Sequence, residues 1–134
     1  MSVKKNPPPL IMVIDDEAIN RELMEAALET GGYRVVMANT AIKALDLVSR
    51  EVPDLAVIDV RLHADMNGYD LCRKLKSTPE TKHMIVVMIT ALEAIHERSK
   101  AKAAGADDLV SRMIDIIELL DRIETLLSQR DQQV

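Results

Sequence analysis

The chain has 134 residues and a formal net charge of −5, and its composition is 48% hydrophobic and 29% charged. This length and balance indicate one folded domain with a real core, not a disordered segment. The negative net charge argues against binding of this domain to the phosphate backbone of a nucleic acid. With only 1% aromatic residues, the chain has no surface on which the bases of single-stranded nucleic acid could stack. A single cysteine, Cys72, excludes an internal disulfide framework and suits a reducing compartment.

The sequence also predicts the cellular compartment and the limits of the folded domain. No apolar stretch is long enough to span a membrane, and the first residues do not form a signal peptide. We therefore expect a cytoplasmic protein without a membrane partner and without direct nucleic-acid binding. Residues 1–9 are polar and proline-ended, which predicts a flexible leader. Residues 10–128 are expected to fold, and residues 129–134 are expected to form a C-terminal tail.

Short apolar runs alternate with helical patterns along the chain. The predicted strands are residues 10–14, 33–37, 55–58, 84–89 and 109–110. Apolar residues at helical spacing predict buried stripes on the helices between them: Ile19, Leu23, Ala27 and Leu28, then Ile42, Leu45 and Val48, then Cys72 and Leu75, and finally Ile116, Leu120, Ile123 and Leu127. Glycines 31–32 and Gly105 are expected to end helices, and Asp115 to cap the last one.

One helical segment, residues 92–104, is poor in large apolar side chains. Ile95 is its main anchor, so we expect it to be the least firmly packed helix. Because connections between parallel strands are right-handed, the alternation predicts a doubly wound, five-stranded parallel sheet with helices on both faces. The fold class is therefore α/β.

Acidic residues follow two of the predicted strands. Asp15 and Asp16 come directly after the first strand, and Asp59 ends the third. If those strands are neighbours, three carboxylates meet at the edge of the sheet where open α/β sheets bind ligands. Such a cluster repels itself unless it is protonated or holds a cation, and hard oxygen ligands favour Mg²⁺. The plain alternative is that Asp15 and Asp16 only cap the following helix.

These residues carry a resemblance to a known family. Over roughly Leu10 to Leu127 the chain resembles the receiver domain of two-component response regulators, whose fold is flavodoxin-like with strand order 2-1-3-4-5. The matching motifs, in chain order, are Val13-Ile14-Asp15-Asp16-Glu17, Pro53-Asp54-Leu55 through Asp59, Ile89-Thr90-Ala91 and Ala104-Gly105-Ala106-Asp107-Asp108. Each motif alone is weak, but this order and spacing make them jointly specific.

The resemblance implies a role for each site residue. Asp59 would be the nucleophile that takes a phosphoryl group from a phosphohistidine. Asp15, Asp16, Asp59 and the backbone carbonyl of Arg61 would hold Mg²⁺. Thr90 would donate its hydroxyl to the bound phosphoryl group and so bias the following loop, although it could equally be an ordinary β-branched strand residue.

The chain departs from the family pattern at three places. Arg112-Met113 stands where the family carries Lys-Pro, so arginine replaces a lysine that pairs with the acceptor aspartate. Arginine keeps the charge but is planar and bidentate, and can reach the site from another angle or turn into solvent. Without the proline we predict a trans Arg112-Met113 bond. Leu109 replaces a switching aromatic residue, and the loop from His63 to Met66 is one residue longer.

Two functions are therefore weighed. The first is a phosphoacceptor switch whose partners are a histidine kinase or phosphotransfer protein and a downstream effector. The second is a degenerate receiver that binds partners regardless of phosphorylation. We favour the first, because a module freed from phosphorylation has no need of three repelling carboxylates. An enzyme acting on a separate substrate is not expected, since the chain lacks a phosphate-cradling glycine-rich loop. A homodimer through the last two helices and the fifth strand is left open.

Overall fold

The computed structural model describes residues 7–91 and 97–132, and in these ranges five strands alternate with five helices. In chain order the elements are β1 (Leu10–Ile14), α1 (Ala18–Thr30), β2 (Arg34–Ala38), α2 (Ala41–Arg50), β3 (Leu55–Asp59), α3 (Gly68–Ser77), β4 (Ile85–Thr90), α4 (Arg98–Ala103), β5 (Asp108–Ser111) and α5 (Ile116–Gln132). The predicted alternation is confirmed, with each strand shifted by no more than a residue or two. Part of the segment predicted as the weak helix, including Ile95, lies outside the described residues.

The strands form one parallel sheet in the order β2-β1-β3-β4-β5. Both the predicted fold class and the strand order implied by the family resemblance are therefore confirmed. In the parallel register Ile14 lies opposite Ile58, Asp59 opposite Ile89, and Thr90 opposite Ser111. Because these pairs close the strands at one edge, the residues that follow them share that edge.

The core has two layers, one on each face of the sheet. On one face α1 and α5 pack through Leu28, Ile123 and Leu127 against strand residues such as Val57 and Val87. On the other face α2, α3 and α4 pack through small and aliphatic residues, among them Ala44, Leu71, Cys72 and Ala101. Cys72 is fully buried and its thiol donates to the carbonyl oxygen of Ala104, as expected of a small core residue.

Some residues predicted to lie in the buried stripes are exposed. Ile19, Leu23 and Ile42 are each about three-fifths exposed, at 60%, 64% and 62%. The predicted residues Ala27, Leu28 and Val48 are buried, and α2 also buries Ala41 and Ala44. Small alanines let a helix lie close to the sheet, which rotates the larger residues outward. In α5 the buried stripe is Leu119, Ile123 and Leu127, and Ile116 is exposed.

The ends of the elements follow the predicted signals. Gly32 and Gly105 have φ of 88° and 93°, in the left-handed region that favours glycine. Asp115 caps α5 by accepting a hydrogen bond from the N–H of Ile117 at 2.7 Å. Helix α5 continues to Gln132, so residues 129–132 extend the helix where a tail was expected. At the other end the carbonyl of Pro9 accepts a hydrogen bond from Arg34, and residues 1–6 lie outside the described part of the chain.

Candidate functional site

Three carboxylates meet at the carboxyl edge of the sheet. Asp15, Asp16 and Asp59 each place an oxygen within 4.8 Å of the other two. The pairing of β1 with β3 brings them together, because Ile14 and Ile58 are opposite each other one residue before Asp15 and Asp59. Asp15 and Asp59 are buried, whereas Asp16 is partly exposed. The predicted convergence of these three residues is confirmed.

Two of the carboxylates are oriented by their own turns. Oδ1 of Asp15 accepts from the N–H of Glu17 at 2.9 Å, and Oδ1 of Asp59 accepts from the N–H of Arg61 at 2.9 Å. In both residues Oδ2 is left free of backbone donors and faces the cluster. The capping alternative describes Oδ1 of Asp15, which forms the turn leading into α1, but it leaves Oδ2 of Asp15 and the approach of Asp16 and Asp59 unexplained.

The charges of the cluster act on Asp59. Burial raises the pKa of Asp59, and the neighbouring charges of Asp15 and Asp16 raise it further. The N–H of Arg61 and the guanidinium of Arg112 oppose this by stabilising the ionised form. The net shift is upward, so the Asp59 carboxylate is less stable as an anion in the folded protein than in water.

Arg112 reaches into the cluster from the end of β5. Its Nη1 lies 3.1 Å from Oδ2 of Asp15, and its Nη2 lies 3.0 Å from Oδ2 of Asp59. Burial lowers the pKa of Arg112, but its bonds to these two carboxylates outweigh that effect and raise the pKa overall. Of the two orientations considered from sequence, the guanidinium therefore takes the inward one. Beyond it, Ile114 N–H closes a turn onto the Ser111 carbonyl at 2.9 Å.

Thr90 is the last residue of β4 and is 1% exposed. Its hydroxyl has no hydrogen-bond partner among the described residues. A buried hydroxyl normally finds a partner, because leaving it unpaired costs free energy. An ordinary strand threonine would be expected to satisfy this requirement, so the unpaired hydroxyl beside the acidic edge favours a functional role for Thr90.

The loop after β3 is fastened at two points. Nδ1 of His63 lies 2.5 Å from Oδ2 of Asp16, and Oδ2 of Asp65 accepts from the N–H of Ile42 at 3.1 Å. The His63 side chain is largely exposed, at 76%, although its ring contacts the cluster. Sequence reasoning had no signal for either contact, because the partners are 47 and 23 positions apart.

Gly68, at the start of α3, is a site residue that sequence reasoning did not single out. A Cβ at this position would lie 2.2 Å from the carbonyl oxygen of Asp59 and 2.8 Å from Cα of Val60. Only glycine therefore allows α3 to begin against the backbone of the acceptor residue. A glycine directly after a loop and opening a helix is the signal that could have found it.

The donor set fits a hard divalent cation. Three carboxylates at this spacing supply the oxygen ligands that Mg²⁺ prefers, and the crowding that raises the pKa of Asp59 is what a bound cation would relieve. The part proposed for the backbone carbonyl of Arg61 stays a prediction. Leu109 is buried at 2% exposure in the core layer of α2, α3 and α4, an aliphatic residue in an aliphatic core.

Comparisons with known proteins place this fold and site in one class. A family model of the response regulator receiver domain matches residues 11–124. The chain is 38% identical over 116 residues to the response regulator PleD of Caulobacter vibrioides (strain NA1000 / CB15N), covering 87% of this chain and 25% of that protein. It is 36% identical over 117 residues to the response regulator MprA of Mycobacterium leprae (strain TN), covering 87% and 50%.

Solved structures agree with these relatives. A response regulator receiver domain protein (CheY-like) from Methanospirillum hungatei JF-1 superposes with a TM-score of 0.84 at 26% identity, covering 99% of this chain and 100% of that one. The signal receiver domain of a signal transduction histidine kinase from Syntrophus aciditrophicus gives 0.83 at 28% identity, covering 90% and 91%. The chain belongs to the response regulator receiver domain family. It spans a quarter to a half of the length of these two curated relatives.

Among the described residues, no helix is both long enough and apolar enough to cross a lipid bilayer.

Proposed function

We propose that this receiver domain accepts a phosphoryl group on Asp59 and thereby switches its binding to a partner. The observation that carries the proposal is the meeting of Asp59 with Asp15, Asp16 and Arg112 beside the unpaired hydroxyl of Thr90. A backbone N–H holds Oδ1 of the buried Asp59 carboxylate, and Oδ2, now in contact with Arg112, is the oxygen that would meet an incoming group once the guanidinium moves. The donor would be the phosphohistidine of a histidine kinase or phosphotransfer protein.

In the transfer, Oδ2 of Asp59 attacks phosphorus, and the O–P bond forms as the N–P bond to the donor histidine breaks. The imidazole leaves and takes up a proton from solvent. The residues proposed to hold Mg²⁺ are Asp15, Asp16, Asp59 and the backbone carbonyl of Arg61, and the bound ion would supply the charge neutralisation that lets two anions meet. Asp59 is held in place for attack by the N–H of Arg61.

Two further side chains would respond to the modified Asp59. The Thr90 hydroxyl, which has no partner among the described residues, would donate to a phosphoryl oxygen. The guanidinium of Arg112, already 3.0 Å from Asp59, would follow the negative charge onto the phosphoryl group. These two movements at the ends of β4 and β5 are the proposed start of the switch. The reader of that switch would be a downstream effector protein or domain, in the cytoplasm.

The domain would support its own phosphorylation and dephosphorylation without acting on a separate substrate. Burial and the neighbouring Asp15 and Asp16 raise the pKa of Asp59, and this weighs against the degenerate receiver, because a module with no acceptor role gains nothing from such a site. The output of the whole protein is a separate matter, since PleD and MprA are much longer than the matched region.

The test is intact mass spectrometry after incubation with acetyl phosphate or carbamoyl phosphate and Mg²⁺. We expect one phosphoryl adduct on the natural chain and none on Asp59→Asn or without Mg²⁺. Asp46→Asn is the matched control, because Asp46 is an exposed aspartate on α2 that forms an ion pair with Arg50 of the same helix. An adduct that survives Asp59→Asn, or no adduct even from a cognate phosphorylated kinase, would overturn the proposal.

A further inference from the structure

Arg112 holds two of the three carboxylates at once. Nη1 lies 3.1 Å from Oδ2 of Asp15 and Nη2 lies 3.0 Å from Oδ2 of Asp59, so one guanidinium joins residues from β1 and β3. Oδ1 of each carboxylate already accepts a backbone N–H. The two oxygens that are free of backbone donors are therefore the same two that the guanidinium contacts.

The third carboxylate also has a partner. Oδ2 of Asp16 is in contact with Nδ1 of His63, from the loop after β3. Each member of the acidic cluster is thus paired with a side chain of the protein itself. Asp15 and Asp59 are 5% exposed, so for them this pairing replaces the hydration that burial removes.

We propose that Arg112 is an intramolecular competitor of the divalent cation, and that cation binding requires the guanidinium to release Asp15. The inference rests on the proposed metal site and adds the regulation of that site. A guanidinium can bridge because its donors form a planar fork, whereas the ammonium of a lysine is a single point of charge. Arginine at position 112 therefore weakens cation binding by more than its charge alone, and phosphoryl acceptance needs a correspondingly higher cation concentration.

Arg112 can weaken cation binding in two ways, by the repulsion between positive charges and by bridging the two carboxylates. A positive charge near the site repels a cation whether it is carried by arginine or lysine. Bridging through two separate nitrogens, by contrast, depends on the planar fork and is lost in Arg112→Lys, whose three donors all lie on one nitrogen. Arg112→Met removes both effects while keeping a long side chain.

The experiment measures Mn²⁺ and Mg²⁺ binding by isothermal titration calorimetry, with no phosphodonor present. We expect Arg112→Lys to bind either ion several-fold tighter than the natural chain, and Arg112→Met to bind about tenfold tighter, the size of one charge-assisted hydrogen bond. Arg122→Lys is the matched control: Arg122 also bridges two carboxylates, Asp108 and Glu118, but outside the cluster. Its affinity for the cation should equal that of the natural chain.

Two outcomes overturn the proposal. In the first, Arg112→Lys binds the cation with the affinity of the natural chain and only Arg112→Met binds it more tightly, which means that charge repulsion alone explains the effect. In the second, both variants bind the cation more weakly, which means that Arg112 stabilises the metal site. If the variants do not fold, the natural chain decides through the NMR signal of the Arg112 Nε–H during addition of Mg²⁺. That signal should shift while the Arg122 signal stays, and an unmoved Arg112 signal at saturating Mg²⁺ overturns the competition.

The result is independent of phosphoryl transfer. If the variants gain cation affinity but no adduct forms on Asp59, the competition stands and the proposed function fails. If an adduct forms normally while Arg112→Lys leaves cation affinity unchanged, the reverse holds.

Discussion

The backbone N–H of Arg112 donates a hydrogen bond to the carbonyl oxygen of Thr90 at 2.8 Å. This bond closes the ladder between β4 and β5 at the edge that holds the acidic cluster. It links the backbone of Thr90, whose hydroxyl has no partner among the described residues, to the backbone of Arg112, whose guanidinium bridges two carboxylates. Any displacement of one backbone at this edge is therefore transmitted directly to the other.

The unpaired hydroxyl of Thr90 should cost stability. We expect Thr90→Val, which keeps the shape and removes the hydroxyl, to raise the free energy of unfolding by about 1 kcal/mol. Urea unfolding followed by far-ultraviolet circular dichroism measures this. Thr90→Ser is the matched control: it keeps the hydroxyl and loses one buried methyl, so it should be less stable than the natural chain by about 1 kcal/mol. A Thr90→Val variant less stable than the natural chain would mean that the hydroxyl has a partner in solution.

The raised pKa of Asp59 predicts how stability depends on pH. The folded protein holds the Asp59 proton more tightly than the unfolded chain, so the contribution of Asp59 to stability falls as pH rises from its ordinary value of 3.8 through the raised pKa. Asp59→Asn lacks this loss. The stability of Asp59→Asn relative to the natural chain should therefore increase across that window, by at most about 1.4 kcal/mol per pH unit, and level off above it.

Urea unfolding of both proteins at a series of pH values, without divalent cations, checks this prediction. Asp46→Asn serves as the control, since Asp46 is exposed, pairs with Arg50 within α2 and is not a member of the cluster. A difference that shrinks with rising pH would show that Arg112 outweighs burial and lowers the pKa of Asp59 instead.

Gly68 should tolerate no side chain. In Gly68→Ala the new Cβ would overlap the carbonyl oxygen of Asp59, at 2.2 Å, and that atom belongs to backbone that has no easy way to move. We expect a loss of about 2 kcal/mol or more in unfolding free energy, together with weaker cation binding, because the acceptor residue must shift.

Gly31→Ala makes a suitable comparison for this test. There the nearest atom to a new Cβ is Cδ2 of Leu120 at 2.9 Å, the end of a flexible side chain, and the backbone is right-handed. Its cost should be smaller, and calorimetric cation binding should be unchanged. Equal losses of cation affinity in both variants would separate Gly68 from the site.

The sequence was sufficient to predict the fold and the three carboxylates. Strand alternation follows from apolar runs of five or six residues, and the convergence of Asp15, Asp16 and Asp59 follows from parallel strands that end at one edge. The strand order came through the family resemblance. The predicted burial in α1 and α2 is right for Ala27, Leu28 and Val48. It is wrong for the larger Ile19, Leu23 and Ile42, which are exposed.

The contacts that make the site specific were beyond sequence reasoning. Three contacts depend on side-chain and loop geometry between distant segments. They are the bridge from Arg112 to the carboxylates, the contact of His63 with Asp16, and the packing of Gly68 against the backbone of Asp59. Local propensity and periodicity carry no information on such pairs. The sequence left two orientations open for the Arg112 side chain, and the structure shows that the guanidinium points toward the carboxylates.

The ion pair between Asp15 and Arg112 joins residues 97 positions apart. During synthesis the first strands and their carboxylates leave the ribosome well before the arginine that neutralises them. A nascent chain that has not yet added β5 must carry the acidic cluster without its internal cation. The addition of β5 is therefore the step at which the proposed competition between Arg112 and Mg²⁺ begins.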